Sequence, residues 1–149
     1  MLGPDFTWQF FEYHVYYNLL SERNPNERKD MENSMEMKMN DHVKNLLLTM
    51  MNDYLDWSHS GPDPNNVRHE MYEEYCNKLA VHEGRKYLKV VSDNSVCAFI
   101  VNTTKDKKFQ YGDVLKPAGW NAPARNFARC NVFDTISVEK SMRWTGPRY

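Results

Sequence analysis

The chain has 149 residues, 41% of them hydrophobic and 13% aromatic, a size and apolar content that suit one folded domain and exclude a disordered tail. Its formal net charge of −1 hides a split: eight basic residues face fifteen acids up to Arg85, a charge of −7, whereas eleven face five from Lys86 onward, a charge of +6. No apolar run nears the roughly 18 to 20 residues that span a bilayer, and three widely spaced cysteines form no CxxC pair for zinc or redox exchange.

At the N-terminus Asp5 is placed to cap a helix running to about Glu22, in which Trp8, Phe11, Val15 and Leu19 recur beside Phe10, Tyr13, Tyr17 and Leu20. So wide an aromatic arc predicts a helix held between other elements or at a homo-oligomer interface. Asp5 and Glu12 also stand where a secretory signal would carry basic and then apolar residues, so a soluble, unexported protein is expected. Asn24-Pro25-Asn26 ends this segment.

A second helical stretch is expected from about Glu27 to Trp57, with Met31, Met35, Met39, Val43, Leu46, Met50, Tyr54 and Trp57 in one core stripe. At roughly 45 Å it is long for a domain of this size, and a break is expected near Asn40-Asp41. Ser58 to Asn66 has loop composition, and Val67 to Glu83 reads as a third helix with Met71, Tyr75 and Leu79 on one side and Gly84 as its C-cap.

From Lys86 the period changes. Tyr87 to Val91 and Ser95 to Asn102 predict a hairpin turned at Asp93-Asn94, with Cys97 a small buried hydrophobe. Phe109 to Lys116 reads as a strand interrupted at Gly112-Asp113, and Pro117 to Arg129 as loop with a helical turn from Pro123. Val132 to Glu139 and Met142 to Thr145 read as final strands. The pattern predicts an α+β fold in a single domain, residues 1–149. Three or four helices of the acidic half (1–85) pack on a small antiparallel sheet or partly open barrel of the basic half (86–149).

The chemistry points to binding. Phosphates need positive charge and unpaired bases need flat side chains to stack on, so Lys116, Trp120, Arg125, Arg129, Arg143 and Trp144 are candidates for single-stranded nucleic acid or a nucleotide. Arg125 and Arg129, four apart, would project together from a helical turn and grip a phosphate. The competing use of these residues is a sheet core of aromatics with solvated basic groups. Glu70, Glu73 and Glu74 offer an acidic helix face to a basic surface on a protein partner.

His69-Glu70 lacks the HExxH spacing, because Glu73 occupies the second histidine's position, and a solvated helix face accounts for it. Asp53 with Asp56, and Asp113 with Asp134, are carboxylate pairs that any acidic chain supplies by chance. GxSxG, Walker and GxGxxG motifs do not occur. A non-enzymatic protein without a cofactor or metal is expected.

Gly112-Asp113-Val114-Leu115-Lys116, Trp120, Pro123-Ala124-Arg125, Ala128-Arg129, Asn131-Val132-Phe133 and Trp144-Thr145-Gly146 resemble small uncharacterised accessory proteins of tailed bacteriophages, over about forty residues. Cys130 stands where those proteins more often have glycine, which puts a tight turn there in doubt. The resemblance implies a virus-encoded factor in the host cytoplasm that binds or inhibits a host macromolecule, either a protein or a nucleic acid, with no membrane partner.

Overall fold

The computed structural model describes residues 25–58 and 61–148. The expected first helix, and self-association through it, lie outside these residues. Helix α1 spans Pro25–Ser58 and α2 spans Val67–Lys78. Strands β1 (Leu79–Glu83), β2 (Tyr87–Ser92), β3 (Ser95–Val101) and β4 (Asp113–Leu115) follow, then a small hairpin of β5 (Pro117–Gly119) and β6 (Ala122–Pro123). Strand β7 (Cys130–Asn131), helix α3 (Thr135–Ser141) and the hairpin of β8 (Met142–Arg143) and β9 (Gly146–Pro147) complete the chain. The main sheet is antiparallel throughout, in the order β1-β2-β3-β4-β7. The fold is therefore α+β, but among the described residues only two of three helices precede the sheet.

Helix α1 is unbroken over 34 residues, roughly 51 Å long. The break expected at Asn40-Asp41 does not occur: both side chains are exposed, so water satisfies them and they cost only a few tenths of a kcal/mol in helix propensity. Pro25 sits at the first helical position, where its missing N–H is harmless. The stripe Met39, Val43, Leu46, Met50 and Tyr54 is buried as expected, whereas Trp57 remains 59% exposed.

Helix α2 stops at Lys78, five residues before the expected end. Leu79–Glu83 instead extends and pairs with β2, from Leu79 opposite Ser92 to Glu83 opposite Leu88. Gly84 lies in the turn between the two strands, its N–H bonding the Tyr87 carbonyl at 2.8 Å, and is not a helix cap. The β2–β3 hairpin forms as expected, with Asp93 at φ 57° in its turn. Its register shifts after Val90, which pairs with Ala98 while Val91 pairs with Val96, so Cys97 is the bulged residue.

Two other expectations are corrected. The β-branched run after Val132 becomes helix α3, because the Asp134 carboxylate accepts the Ser137 N–H at 2.8 Å and caps it. The helical turn from Pro123 is replaced by the β5–β6 hairpin, followed by irregular chain up to Cys130.

The sheet has two covered faces. On one, Met39, Val43, Leu46 and Met50 of α1 pack against Leu88, Val90, Ala98, Ile100 and Val114, with Val138 and Met142 closing the end. On the other, Phe99, Val101, Phe109 and Leu115 form a smaller cluster with Tyr87 and Val96. At the β1–β2 end of this second face lie His82 and Lys89, paired across the two strands. Among the described residues no helix is long and apolar enough to cross a membrane.

Candidate functional site

Strand register builds the site. His82 of β1 pairs with Lys89 of β2, and Lys89 pairs with Phe99 of β3, so these three side chains stand in one row across the second face. Tyr87, two residues from Lys89, shares that face and meets Phe99 edge-on at 5.8 Å between ring centres. Glu83 at the end of β1, with Arg85 and Lys86 of the β1–β2 turn, completes this side of a cavity of about 470 Å³.

The β5–β6 hairpin supplies the opposite wall. Its loop carries Trp120 and Asn121, and Lys89 bridges to both: its Nζ donates to Asn121 Oδ1 at 3.2 Å and lies 4.5 Å from the centre of the Trp120 ring. Trp120 is 46% exposed, so a flat ring still has indole surface to stack on. The lining therefore combines three long cations and one carboxylate, Glu83, with the rings of Tyr87 and Phe99 around a space large enough for a nucleotide-sized ligand, and Trp120 adjoins it through Lys89.

Arg125 buttresses the cavity from behind. Its Nη1 and Nη2 donate to Asp106 Oδ2 and Oδ1, both at 3.0 Å, and Nη1 also bonds the Tyr87 hydroxyl. The guanidinium lies 4.9 Å from the Phe109 ring centre, and Lys108 Nζ donates to the Arg125 carbonyl at 2.6 Å. The Asp106 side chain is only 3% exposed and also accepts the Lys108 and Phe109 N–H groups at 2.8 and 3.0 Å. The hydrogen bonds from Arg125, with those backbone donors, hold its carboxyl well below the usual carboxylate range.

Of the residues the sequence singled out for nucleic acid, Trp120 adjoins the cavity through Lys89, and Arg125 reaches it through the Tyr87 hydroxyl. Lys116 is half-buried at the start of the β5–β6 hairpin, where its carbonyl accepts the Ala124 N–H at 2.7 Å. The expectation that Arg125 and Arg129 project from one helical turn is corrected, because that stretch is not helical. Arg129 turns to Phe127, with its guanidinium 4.0 Å from the ring centre. Arg143 and Trp144 belong elsewhere: the Arg143 Nη1 donates to the Met142 carbonyl at 2.9 Å, and Trp144 joins the aromatic cluster between α1 and α2.

Glu70, Glu73 and Glu74 are all exposed on α2, with Glu73 3.2 Å from His69 and Glu74 2.9 Å from Lys78. Three of the four carboxylates considered as catalytic pairs have structural contacts. Asp53 accepts the Trp144 N–H at 2.9 Å, Asp113 accepts from Asn131 at 2.9 Å, and Asp134 caps α3.

Sequence reading missed Lys89, His82, Arg85, Lys86 and Asn121. The signal for them was the alternation Tyr87-Leu88-Lys89-Val90, which sends Tyr87 and Lys89 to one face and Leu88 and Val90 to the core. That signal becomes legible only once Leu79–Glu83 is recognised as a strand that carries His82 beside Lys89. Among the described residues no group of histidine, cysteine and acidic side chains is arranged to hold a metal ion.

No curated protein and no solved structure matches the chain. Residues 17–149 match a family of unknown function, DUF7717, and the protein belongs to that family.

Proposed function

We propose that this is a non-enzymatic binding protein whose cavity at the β1–β2 hairpin takes a single-stranded nucleic acid or a nucleotide. One observation carries the reading: Lys89, Arg85 and Lys86 share a cavity of about 470 Å³ with Tyr87 and Phe99, while Lys89 also lies over Trp120. The cations neutralise phosphate, and Trp120 offers a face to a base. In this reading Arg125 acts through Tyr87, which it holds by a hydrogen bond, and does not touch the ligand. The resemblance of the C-terminal forty residues to phage accessory proteins suits a virus-encoded factor that engages a host macromolecule in the bacterial cytoplasm.

The test is fluorescence anisotropy of a labelled oligothymidylate at about 50 and 200 mM salt, a range over which two or three phosphate contacts lose about tenfold in affinity. Micromolar binding that falls with salt, and falls again in Lys89→Ala and Trp120→Ala, is the expected result. A mononucleotide competitor separates the two ligand sizes: competition at comparable concentration assigns a nucleotide, its absence a polynucleotide. No binding of either ligand at the lower salt overturns the reading.

A further inference from the structure

Independently of that cavity, we propose that the loop end of the α1–α2 helical hairpin is a docking surface for a basic amphipathic helix on a partner protein. Tyr54 of α1 stacks on Tyr75 of α2 with ring centres 4.4 Å apart and planes 5° from parallel. One turn toward the connecting loop from this rung come Trp57 on α1 and Met71 on α2, and a further turn along α2 comes Val67. These three large apolar side chains are 59%, 41% and 50% exposed.

Trp57 is held in place. Its ring lies 5.7 Å from Tyr54 and 4.9 Å from Trp144, and Trp144 is pinned through its backbone, donating its N–H to Asp53 and accepting from the Tyr75 hydroxyl at 2.7 Å. A rigid tryptophan beside an adaptable methionine is the composition of an interface anchor, because little conformational entropy is lost when a partner covers it.

The charge around the patch selects the partner. Between Asp53 and Lys78 the chain carries six acids, Asp53, Asp56, Asp63, Glu70, Glu73 and Glu74, and only two basic residues, Arg68 and Lys78. Glu70, Glu73 and Glu74 are exposed on the helix that carries Val67 and Met71, and acids beside an apolar strip attract a helix that has an apolar face flanked by lysine or arginine and repel nucleic acid. The sequence-level expectation of protein binding at Glu70, Glu73 and Glu74 thereby gains the apolar anchor that a charged face alone lacks.

The probe is a labelled 20-residue leucine-lysine peptide with leucine at helical spacing, titrated against the full chain. A peptide of the same composition in scrambled order is the control. Tighter binding of the helical peptide is expected, weakened at least tenfold by Trp57→Ala and about fivefold by reversing Glu70, Glu73 and Glu74 to lysine, in variants whose circular dichroism shows them folded at the titration temperature. Met71→Ser is expected to reproduce the loss at a second position. Equal binding of the scrambled peptide, or indifference to both Trp57→Ala and Met71→Ser, overturns the proposal. So does concentration-dependent dimerisation of the chain alone that Trp57→Ala abolishes, since that assigns the patch to a second copy.

Discussion

Asp106 and Arg125 form a two-pronged pair, each guanidinium nitrogen 3.0 Å from one carboxylate oxygen, with the acid 3% exposed and the arginine side chain 42% exposed. The planar fork matches the carboxylate and fixes the guanidinium against Phe109 and the Tyr87 hydroxyl. A cation that sequence position marks as a ligand contact is thus the brace of a loop.

Breaking that brace costs stability in a pH-dependent way. Asp106→Asn removes the ionic acceptor and is expected to destabilise by about 2 kcal/mol at pH 7, the usual cost of losing a charge-assisted bond at a buried group. Because the folded-state carboxyl titrates below its unfolded value, its contribution is fully present above about pH 4 and is lost as pH falls through the folded value. Urea melts of the two proteins are expected to differ by a constant amount from pH 5 to 8 and to converge toward pH 2.

His42 acts on the same acid flank of the pH profile, beginning at higher pH. It is 8% exposed, packed edge-on against Phe133 at 4.9 Å, with its Nδ1 buried and without a partner. Burial pushes its pKa below 6.5, outweighing the attraction of Asp41, while Lys38 pushes the same way as burial. The unfolded chain therefore binds this proton first, and stability is expected to fall as pH drops below about 6.5 and to level off below the folded value. In His42→Leu that part of the slope between pH 7 and 5 is expected to vanish.

Gly146 tolerates no side chain. Its φ is 120°, and a Cβ there would collide with the Cys97 carbonyl oxygen on the bulge of β3. Gly146→Ala is expected to cost about 3 kcal/mol or more, from the strained conformation and the forced separation of β9 from β3. A drop of about 10 °C in melting temperature would register it. Unchanged stability would mean that the hairpin and the bulge are not in contact.

Thiol reactivity reports the folded state. Cys97 and Cys130 are buried, and burial raises both thiols, Cys130 up to about 12. Cys76 is half-buried on α2. Native protein is expected to react with at most one equivalent of a thiol-disulfide reagent within minutes, and with three after denaturation. Rapid titration of two or more in the native state would contradict the packing around β3 and β7.

Much of the architecture was legible because it rests on local periodicity. The stripe from Met39 to Tyr54 and the turn at Asp93-Asn94 both announce themselves within a few residues. The boundary at Lys78 was not, since Met71, Tyr75 and Leu79 keep helical spacing straight into β1, and only pairing with β2 decides against it. Likewise Thr135 to Val138 has the β-branched look of a strand, and one carboxylate cap turns it into a helix. The site suffered most from this. Its cations lie on β2 and on the β1–β2 turn, which only the pairing of those strands places, and the basic residues expected to act together, Arg125 and Arg129, point to different partners.

The contacts of Trp144 set the order in which the protein can assemble. Its backbone bonds reach Asp53 and Tyr75 across 91 and 69 residues of chain, and the sheet that covers α1 includes strands as late as β7. During synthesis Met39, Leu46 and Met50 therefore leave the ribosome long before the residues that bury them, exposing an apolar stripe on a long helix. Contacts of such span close slowly, so folding of α1 onto the sheet is expected to wait for residues more than forty positions further along the chain.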